Sequence, residues 1–213
     1  MAVFVDSAVL DEVREALETG FVTGVTTNPI LIAQAGRPAE DIIKDLCELT
    51  SGPVFYQLTS PRVDEQEAEA RYFAAISPGQ VVLKIPCTYE MLRLTARISA
   101  EIPCAVTAIF SIPQTVLALE AGARYVIPYV NRATRALGDG LELVRRMAAT
   151  VAATGSRAEI LAASLKTPEE TASAILAGAS HVTVPLAIIK AMAEHEQTAL
   201  AVKDFAEASR KKQ

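Results

Sequence analysis

The chain has 213 residues, of which 51% are hydrophobic, 21% charged and 5% aromatic, a composition that excludes intrinsic disorder and describes a globular protein with one sizeable core. A single domain over 1–213 is expected, since α/β barrels run to roughly 200–250 residues. With 20 Lys and Arg against 25 Asp and Glu, the net charge is -5, which argues against a nucleic-acid partner; the short basic tail Arg210, Lys211, Lys212 reads as a solvated chain end.

In chain order, short β-branched runs recur at Ala2–Asp6, Thr23–Thr27, Pro53–Gln57, Gln80–Ile85, Pro103–Ala108, Tyr125–Tyr129, Glu159–Ser164 and His181–Pro185. A segment of helical periodicity follows each, such as Val9, Leu10, Val13 and Leu17 after the first. One helix start is written out locally: Thr167 can cap, Pro168 suits the first helical position, Glu170 completes the capping box, and Gly178 can stop the helix in a left-handed conformation. Ala121-Gly122-Ala123 and Ala177-Gly178-Ala179 each lead into a Val-containing strand that ends at a proline, a weak internal echo of one unit. Strands alternating with helices require a parallel sheet with right-handed crossovers. An open doubly wound sheet has the same local pattern, but eight units favour closure into a single (β/α)8 TIM barrel of the α/β class. The segment Gln197–Arg210 is an extra C-terminal helix that needs a surface to pack on.

No run of eighteen apolar residues exists, and Met-Ala-Val-Phe-Val-Asp lacks the basic region and apolar stretch of a signal peptide, so a cytoplasmic protein without membrane contact is expected. Cys47, Cys87 and Cys104 form no Cys-x-x-Cys pair and read as buried small hydrophobes. His181 and His195 are the only histidines, too few for an obvious transition-metal site. Chemistry without metal or cofactor is expected.

Strand residues in a barrel alternate between the interior and the helix layer, and active sites form at the C-terminal strand ends. Placing Val81, Leu83 and Ile85 outward sends Val82 and Lys84 inward. The same alternation turns Asp6 inward against Val3 and Val5, Thr26 and Asn28 against Val25, and Gln57 against Val54 and Tyr56. It also turns Thr107, Tyr129 and Ser164 inward, opposite Val106, Val126 and Leu161. Seven strands thus offer an inward polar group near the same end. Each alone could be a strand-end hydrogen bonder, but burying Asp6 or Lys84 without a partner costs several kcal/mol, on the order of the penalty for an uncompensated charge.

Lys44, Lys190 and Lys203 fall on amphipathic helices, and Lys211 and Lys212 in the tail, leaving Lys84 and Lys166 at strand ends. A lysine in a partly apolar pocket loses preference for its charged form, and the neutral amine can attack a carbonyl. The protonated imine so formed draws electrons from a neighbouring carbon–carbon bond, which can then break to leave an enamine. Lys84 suits the amine role; Asp6 and Tyr129 can move protons; Gln57 and Thr107 can position a water; Asn28 can hold a hydroxyl. Arg132, Ser164 and Lys166 cluster where barrels commonly bind phosphate, although Arg132 and Arg135 also fit solvated loop charges.

The segments Phe4-Val5-Asp6, Gly24-Val25-Thr26-Thr27-Asn28-Pro29, Leu83-Lys84-Ile85-Pro86-Cys87-Thr88, Pro128-Tyr129-Val130-Asn131-Arg132 and Ala162-Ala163-Ser164-Leu165-Lys166-Thr167 together resemble the transaldolase family, especially its short bacterial branch that includes fructose-6-phosphate aldolase. The resemblance spans nearly the whole chain. It implies a (β/α)8 barrel, Lys84 as the Schiff-base lysine, Asp6, Asn28 and Thr107 in the active site, and Arg132 and Ser164, with Lys166, as phosphate contacts. It further implies a sugar or sugar-phosphate substrate and a homo-pentamer or homo-decamer whose C-terminal helix packs on a neighbouring subunit. Transaldolases of the family typically carry glutamate at the end of strand three and phenylalanine in the strand-six motif. Gln57 and Tyr129 here are similar to fructose-6-phosphate aldolase, which implies a class I aldolase acting on a ketose or hydroxyketone and an aldehyde such as glyceraldehyde 3-phosphate. A transaldolase passing a dihydroxyacetone unit between sugar phosphates is the alternative.

Overall fold

A computed structural model describes residues 1–60 and 62–210; Lys211 and Lys212 of the basic tail lie outside the described residues. The order is β1 (Ala2–Asp6), α1 (Leu10–Glu18), β2 (Val22–Thr26), α2 (Pro29–Ala35), α3 (Ala39–Leu49), β3 (Val54–Gln57), α4 (Val63–Ala74), β4 (Val81–Pro86), α5 (Tyr89–Ile98), β5 (Cys104–Ile109) and α6 (Ile112–Glu120). Then come β6 (Tyr125–Pro128), α7 (Val130–Leu137), α8 (Gly140–Thr154), β7 (Glu159–Ala162), α9 (Pro168–Leu176), β8 (His181–Val184), α10 (Leu186–Met192) and α11 (Glu196–Arg210). All pairings are parallel, and β8 returns to β1, so the eight strands close a barrel and the open-sheet alternative is removed. No helix among the described residues is long and apolar enough to cross a membrane.

Two apolar layers follow from the strand alternation. Val5, Val25, Val54, Val81, Leu83, Val106, Val126 and Val182 point outward and pack on the helices. Phe4, Phe55, Val82, Ala105, Tyr125, Ile127 and Leu161 fill the interior as a separate cluster. The aromatics anchor that inner layer, with Phe55 5.7 Å from Phe4 and 5.1 Å from Tyr125 between ring centroids. His181 closes the N-terminal end, stacked on Phe4 at 5.5 Å.

The helix starts behave as their sequences suggest. Thr167 Oγ1 accepts from the Glu170 N–H, and Pro168 opens α9. Glu170 departs from a strict capping box, because its carboxylate reaches past the cap and accepts from the Lys166 N–H and from Asn131 Nδ2. Gly178 follows α9 with φ +106, as its turn requires. Gly52 is demanded by proximity instead: a Cβ there would sit 1.7 Å from the Thr23 carbonyl oxygen.

One strand departs from the expected alternation. In β7 Leu161 belongs to the barrel interior and Ile160 and Ala162 to the helix layer, so Ser164 is not inward by the parity that set it opposite Leu161. The departure begins at Leu161, which fills the interior instead of facing the helices; Ser164 itself takes φ +59, and the following Leu165 lies in the outer layer. Ala108 at the end of β5 has φ +58 and marks a register shift, so Thr107 stays inward while Ile109 turns out. Non-glycine residues in this region cost on the order of 1 kcal/mol or more each, and both flank β6 at the end where its functional candidates sit.

Phe55→Ala should cost about 3–5 kcal/mol by emptying the inner layer, a fall in Tm of roughly 6–20 °C at this chain length. Thermal unfolding checks this, and a loss under about 1 kcal/mol would show that the interior cluster does not hold the barrel together.

Candidate active site

Lys84 is the centre of the polar end of the barrel. Four residues of β4 precede or follow it as wholly buried aliphatics, so its inward-facing amine starts from an apolar setting, and the residue is only 5% exposed. Nζ donates a 2.8 Å hydrogen bond to the Thr27 carbonyl oxygen at the exit of β2. Burial lowers the pKa of the amine, and the Asp6 carboxylate acts in the opposite direction. An amine whose folded pKa lies below its unfolded value weakens the fold while it is charged; that cost is present below the folded pKa and is relieved as pH rises through it.

Asp6 ends β1 directly beside Thr26 in the β1–β2 register, and Thr26 Oγ1 donates to Asp6 Oδ1 at 2.7 Å. The Thr26 and Thr183 hydroxyls are 2.6 Å apart, which ties β2 to β8 across β1. Gln57 lies opposite Lys84 in the β3–β4 register, and Thr107 lies opposite Pro86 in β4–β5. Gln57 Oε1 and Thr107 Oγ1 are both buried and have no hydrogen-bond partner among the described residues. Two such atoms flanking one strand are costly unless something else meets them, and a water or a substrate hydroxyl would do so.

Asn28 is placed differently from its neighbours. Instead of following the inward alternation of β2 as a strand residue, it is the N-cap of α2, its Oδ1 accepting from the Ile30 and Leu31 N–H groups at 3.1 Å. Its Nδ2 group keeps its two donors, so it can still hold a hydroxyl oxygen.

Tyr129 follows β6 and bridges to Ala163 of the neighbouring strand. Its ring meets Phe110 edge-on at 6.1 Å, and the Arg132 guanidinium lies over it at 4.9 Å from the centroid. The Asn131 N–H donates to the Ser164 carbonyl, so Arg132 at the first turn of α7 and the Ser164–Lys166 loop are joined through the backbone. Arg132 and Lys166 are exposed and have no ion-pair partner among the described residues. Among the described residues, no three His, Cys, Asp or Glu side chains come together as metal ligands.

The chain's sequence matches, over residues 3–213, the family described as Transaldolase/Fructose-6-phosphate aldolase. This chain belongs to that family. Among its curated relatives, proteins named probable transaldolase from Heliobacterium modesticaldum and Geotalea daltonii are each 38% identical, over 206 and 208 residues. The alignments cover 96% of this chain and 95% of the first, and 97% of both partners for the second. Solved structures share the barrel alone: a mandelate oxidase variant (TM-score 0.62, 16% identity, covering 86% of this chain and 64% of that one) and the thiamine phosphate pyrophosphorylase of Pyrococcus furiosus (0.60, 18%, 86% and 85%).

In this transaldolase/fructose-6-phosphate aldolase chain, sequence reasoning passed over three contributors. Thr183 was legible, since Val182 and Val184 point outward and leave it facing in, giving the eighth strand its own polar group. The Thr27 carbonyl was not, because a backbone acceptor leaves no mark in residue type. Glu69 on α4 is the third: it accepts from Tyr56 Oη at 2.7 Å, from the Thr59 N–H and hydroxyl, and from the Ser60 N–H, clamping the loop that leaves Gln57. Burial raises its pKa, but these hydrogen bonds outweigh that and hold it below the ordinary carboxylate range.

Lys84→Met should leave Tm unchanged or raise it by a few degrees, since about 1 kcal/mol corresponds to roughly 2–4 °C at this length and the desolvated amine is removed. Calorimetry of the variant checks this; a drop of more than about 5 °C would make Lys84 a structural lysine.

Proposed function

We propose that the chain is a class I aldolase that joins or splits a ketose through an imine on Lys84. The observation that carries this reading is a buried amine held by the Thr27 carbonyl, beside Gln57 in the strand register and close enough to Asp6 for its charge to oppose the lowering of the pKa by burial. Neutral Lys84 adds to the carbonyl carbon of a ketose or hydroxyketone, and loss of water leaves the protonated imine. Asp6 then accepts the proton of the hydroxyl on the carbon two bonds from the imine carbon, the bond between that carbon and the carbon next to the imine breaks, its electron pair forms the enamine double bond, and the imine π pair moves onto nitrogen. An aldehyde departs. Proton return to the enamine carbon, followed by attack of water, frees the hydroxyketone and the amine. Gln57 Oε1 and Thr107 Oγ1, both without partners among the described residues, are suited to hold that water, with Tyr129 as the hydroxyl that exchanges protons with it. Asn28 Nδ2 would hold a substrate hydroxyl beside Thr26, and Arg132, Ser164 and Lys166 would meet a phosphate on the β6–β7 side of the mouth.

A transaldolase is the second reading, favoured by the names of the relatives. It shares every step to the enamine, then hands the three-carbon unit to another sugar phosphate. Gln57 and Tyr129 support the aldolase: an amide carries no charge with which to orient the water, and a phenol can exchange a proton where phenylalanine cannot. We further propose a homo-oligomer. Helix α11 buries none of its residues, and Leu200, Val202 and Phe205 are exposed on it, an apolar surface consistent with packing on a neighbouring subunit.

Borohydride reduction with dihydroxyacetone or fructose 6-phosphate should leave a mass adduct on the Lys84 peptide and none elsewhere. Its formation rate should rise with pH well below the ordinary lysine pKa of about 10.4, and absence of adduct under both ketones would end the class I reading. Tyr129→Phe should lower cleavage of fructose 6-phosphate by about 10²-fold or more while lowering transfer to erythrose 4-phosphate less. Equal losses, or transfer far faster than cleavage in the unaltered enzyme, would favour the transaldolase.

A further inference from the structure

Strand β8 has no part in the proposed reaction, yet it buries a hydroxyl among apolar neighbours. In His181-Val182-Thr183-Val184 the two valines join the outer layer on the helices, and Thr183 faces the barrel interior, buried. Valine and threonine are both β-branched and both suit a strand, so packing alone asks for no hydroxyl here. Burying one without a partner is unfavourable. Its partner is Thr26 Oγ1 at 2.6 Å, on β2, reached across the intervening strand β1.

The sense of that hydrogen bond is set by what lies on the far side of Thr26. A threonine hydroxyl has a single hydrogen, and an ionised carboxylate only accepts. Thr26 donates its hydrogen to Asp6 Oδ1 at 2.7 Å, which leaves it only lone pairs to turn towards Thr183. Thr183 is therefore the donor. The three groups form a directed chain, from Thr183 to Thr26 to Asp6, that starts on a strand without a reacting group and ends on the proton acceptor. Thr26 is 1% exposed, so water does not compete for it. Each bond in such a chain polarises the next. The spacing is equally specific: an oxygen approaches to 2.6 Å only through a shared hydrogen, whereas a methyl group in its place needs about 3.5 Å and would push the Thr26 hydroxyl away.

We propose that Thr183 is a positioning residue for the reaction: its hydroxyl donates to Thr26 and so holds the Asp6 carboxylate in the orientation from which it takes the proton of the substrate hydroxyl. This rests on the reading of Asp6 as proton acceptor in an imine-forming enzyme. The effect of Thr183 reaches the substrate only through Thr26 and Asp6.

Thr183→Val tests this in the intact protein. The kcat for cleavage of fructose 6-phosphate should fall about tenfold with KM within about twofold, while borohydride trapping of dihydroxyacetone on Lys84, which transfers no proton to Asp6, should keep its rate within about twofold. Transfer to erythrose 4-phosphate is read in the same way if the chain is a transaldolase. Thr183→Ser keeps the donor and should keep at least about half of the activity. In a Thr26→Val background, Thr183→Val should cost no more than about twofold, since its route to Asp6 is already cut. Trapping that falls along with cleavage, a serine variant no better than valine, or losses that multiply in the double variant would each reduce Thr183 to a structural hydroxyl and overturn the proposal. Should Thr183→Val not fold, Thr183→Ala removes the donor without the intruding methyl and takes its place in every comparison. If no ketone is trapped, the class I reading fails, and the carbon NMR signal of the Asp6 carboxyl decides the positioning separately. A signal displaced in Thr183→Val and retained in Thr183→Ser supports it; one unmoved in Thr183→Val overturns it.

Discussion

The 2.8 Å hydrogen bond from Lys84 Nζ to the Thr27 carbonyl is the constraint around which the polar end of the barrel is arranged. A primary amine has four methylenes of freedom, and in solvent it would spread over many rotamers. Here the stem is enclosed by the inner apolar layer and the head is tied to a neighbouring strand exit, so both position and hydration are set before any substrate arrives. A backbone carbonyl provides that tether without adding a charge. A carboxylate in the same place would have held the amine protonated and removed its nucleophilicity; Asp6 is near enough to oppose the lowering of the pKa but spends one oxygen on Thr26. Burial therefore keeps the upper hand.

That arrangement needs the strands in fixed register, which comes from the division of labour between the two apolar layers. The outer layer bonds strands to helices and tolerates variety, because aliphatic side chains of many shapes fill it. The inner layer is small, and its buried aromatics Phe4, Phe55 and Tyr125 precede the polar candidates Asp6, Gln57 and Tyr129 on the same strands. Where the alternation would have spoiled this, the backbone yields: Ala108 and Ser164 adopt positive φ on either side of β6, turning Ile109 and Leu165 out to the helices. Strain is concentrated at the ends of two strands next to Tyr129, which is where a binding surface gains most from departing from regular geometry.

The extent to which this was legible in the residues follows the same physics. Strand positions could be read because β-branched runs are local signals, and the inward groups of six strands could be read because alternation has a period of two. Asp6, Thr26, Gln57, Lys84, Thr107 and Tyr129 all lie on the barrel-mouth side that this reasoning gives them. The expected placement failed at Ser164, because Leu161 fills the interior rather than facing the helices, and at Asn28, where a helix cap competes for the side chain that a strand would have aimed inward. Leu161 fits either layer and so left no sign, whereas Asn28 had one, since asparagine favours a helix cap over a strand and Pro29 suits the first helical position. Glu69 was invisible for another reason, since a helix carboxylate twelve residues beyond Gln57 becomes a loop clamp only once α4 is folded back on β3.

The clamp shows how the helix layer governs chemistry it never touches. Glu69 gathers Tyr56, Thr59 and Ser60 onto one carboxylate, and these residues bracket Gln57 on both sides. Its lowered pKa means that the clamp's contribution is in place above the ordinary glutamate pKa and is lost as pH falls through the folded value. A cavity beside α2 shares the same wall, because Tyr56 and Thr59 line it. One carboxylate on the outer layer thus sets the shape of the β3 exit for both the Gln57 amide and the cavity behind it, and the two cannot be altered independently from that side of the barrel.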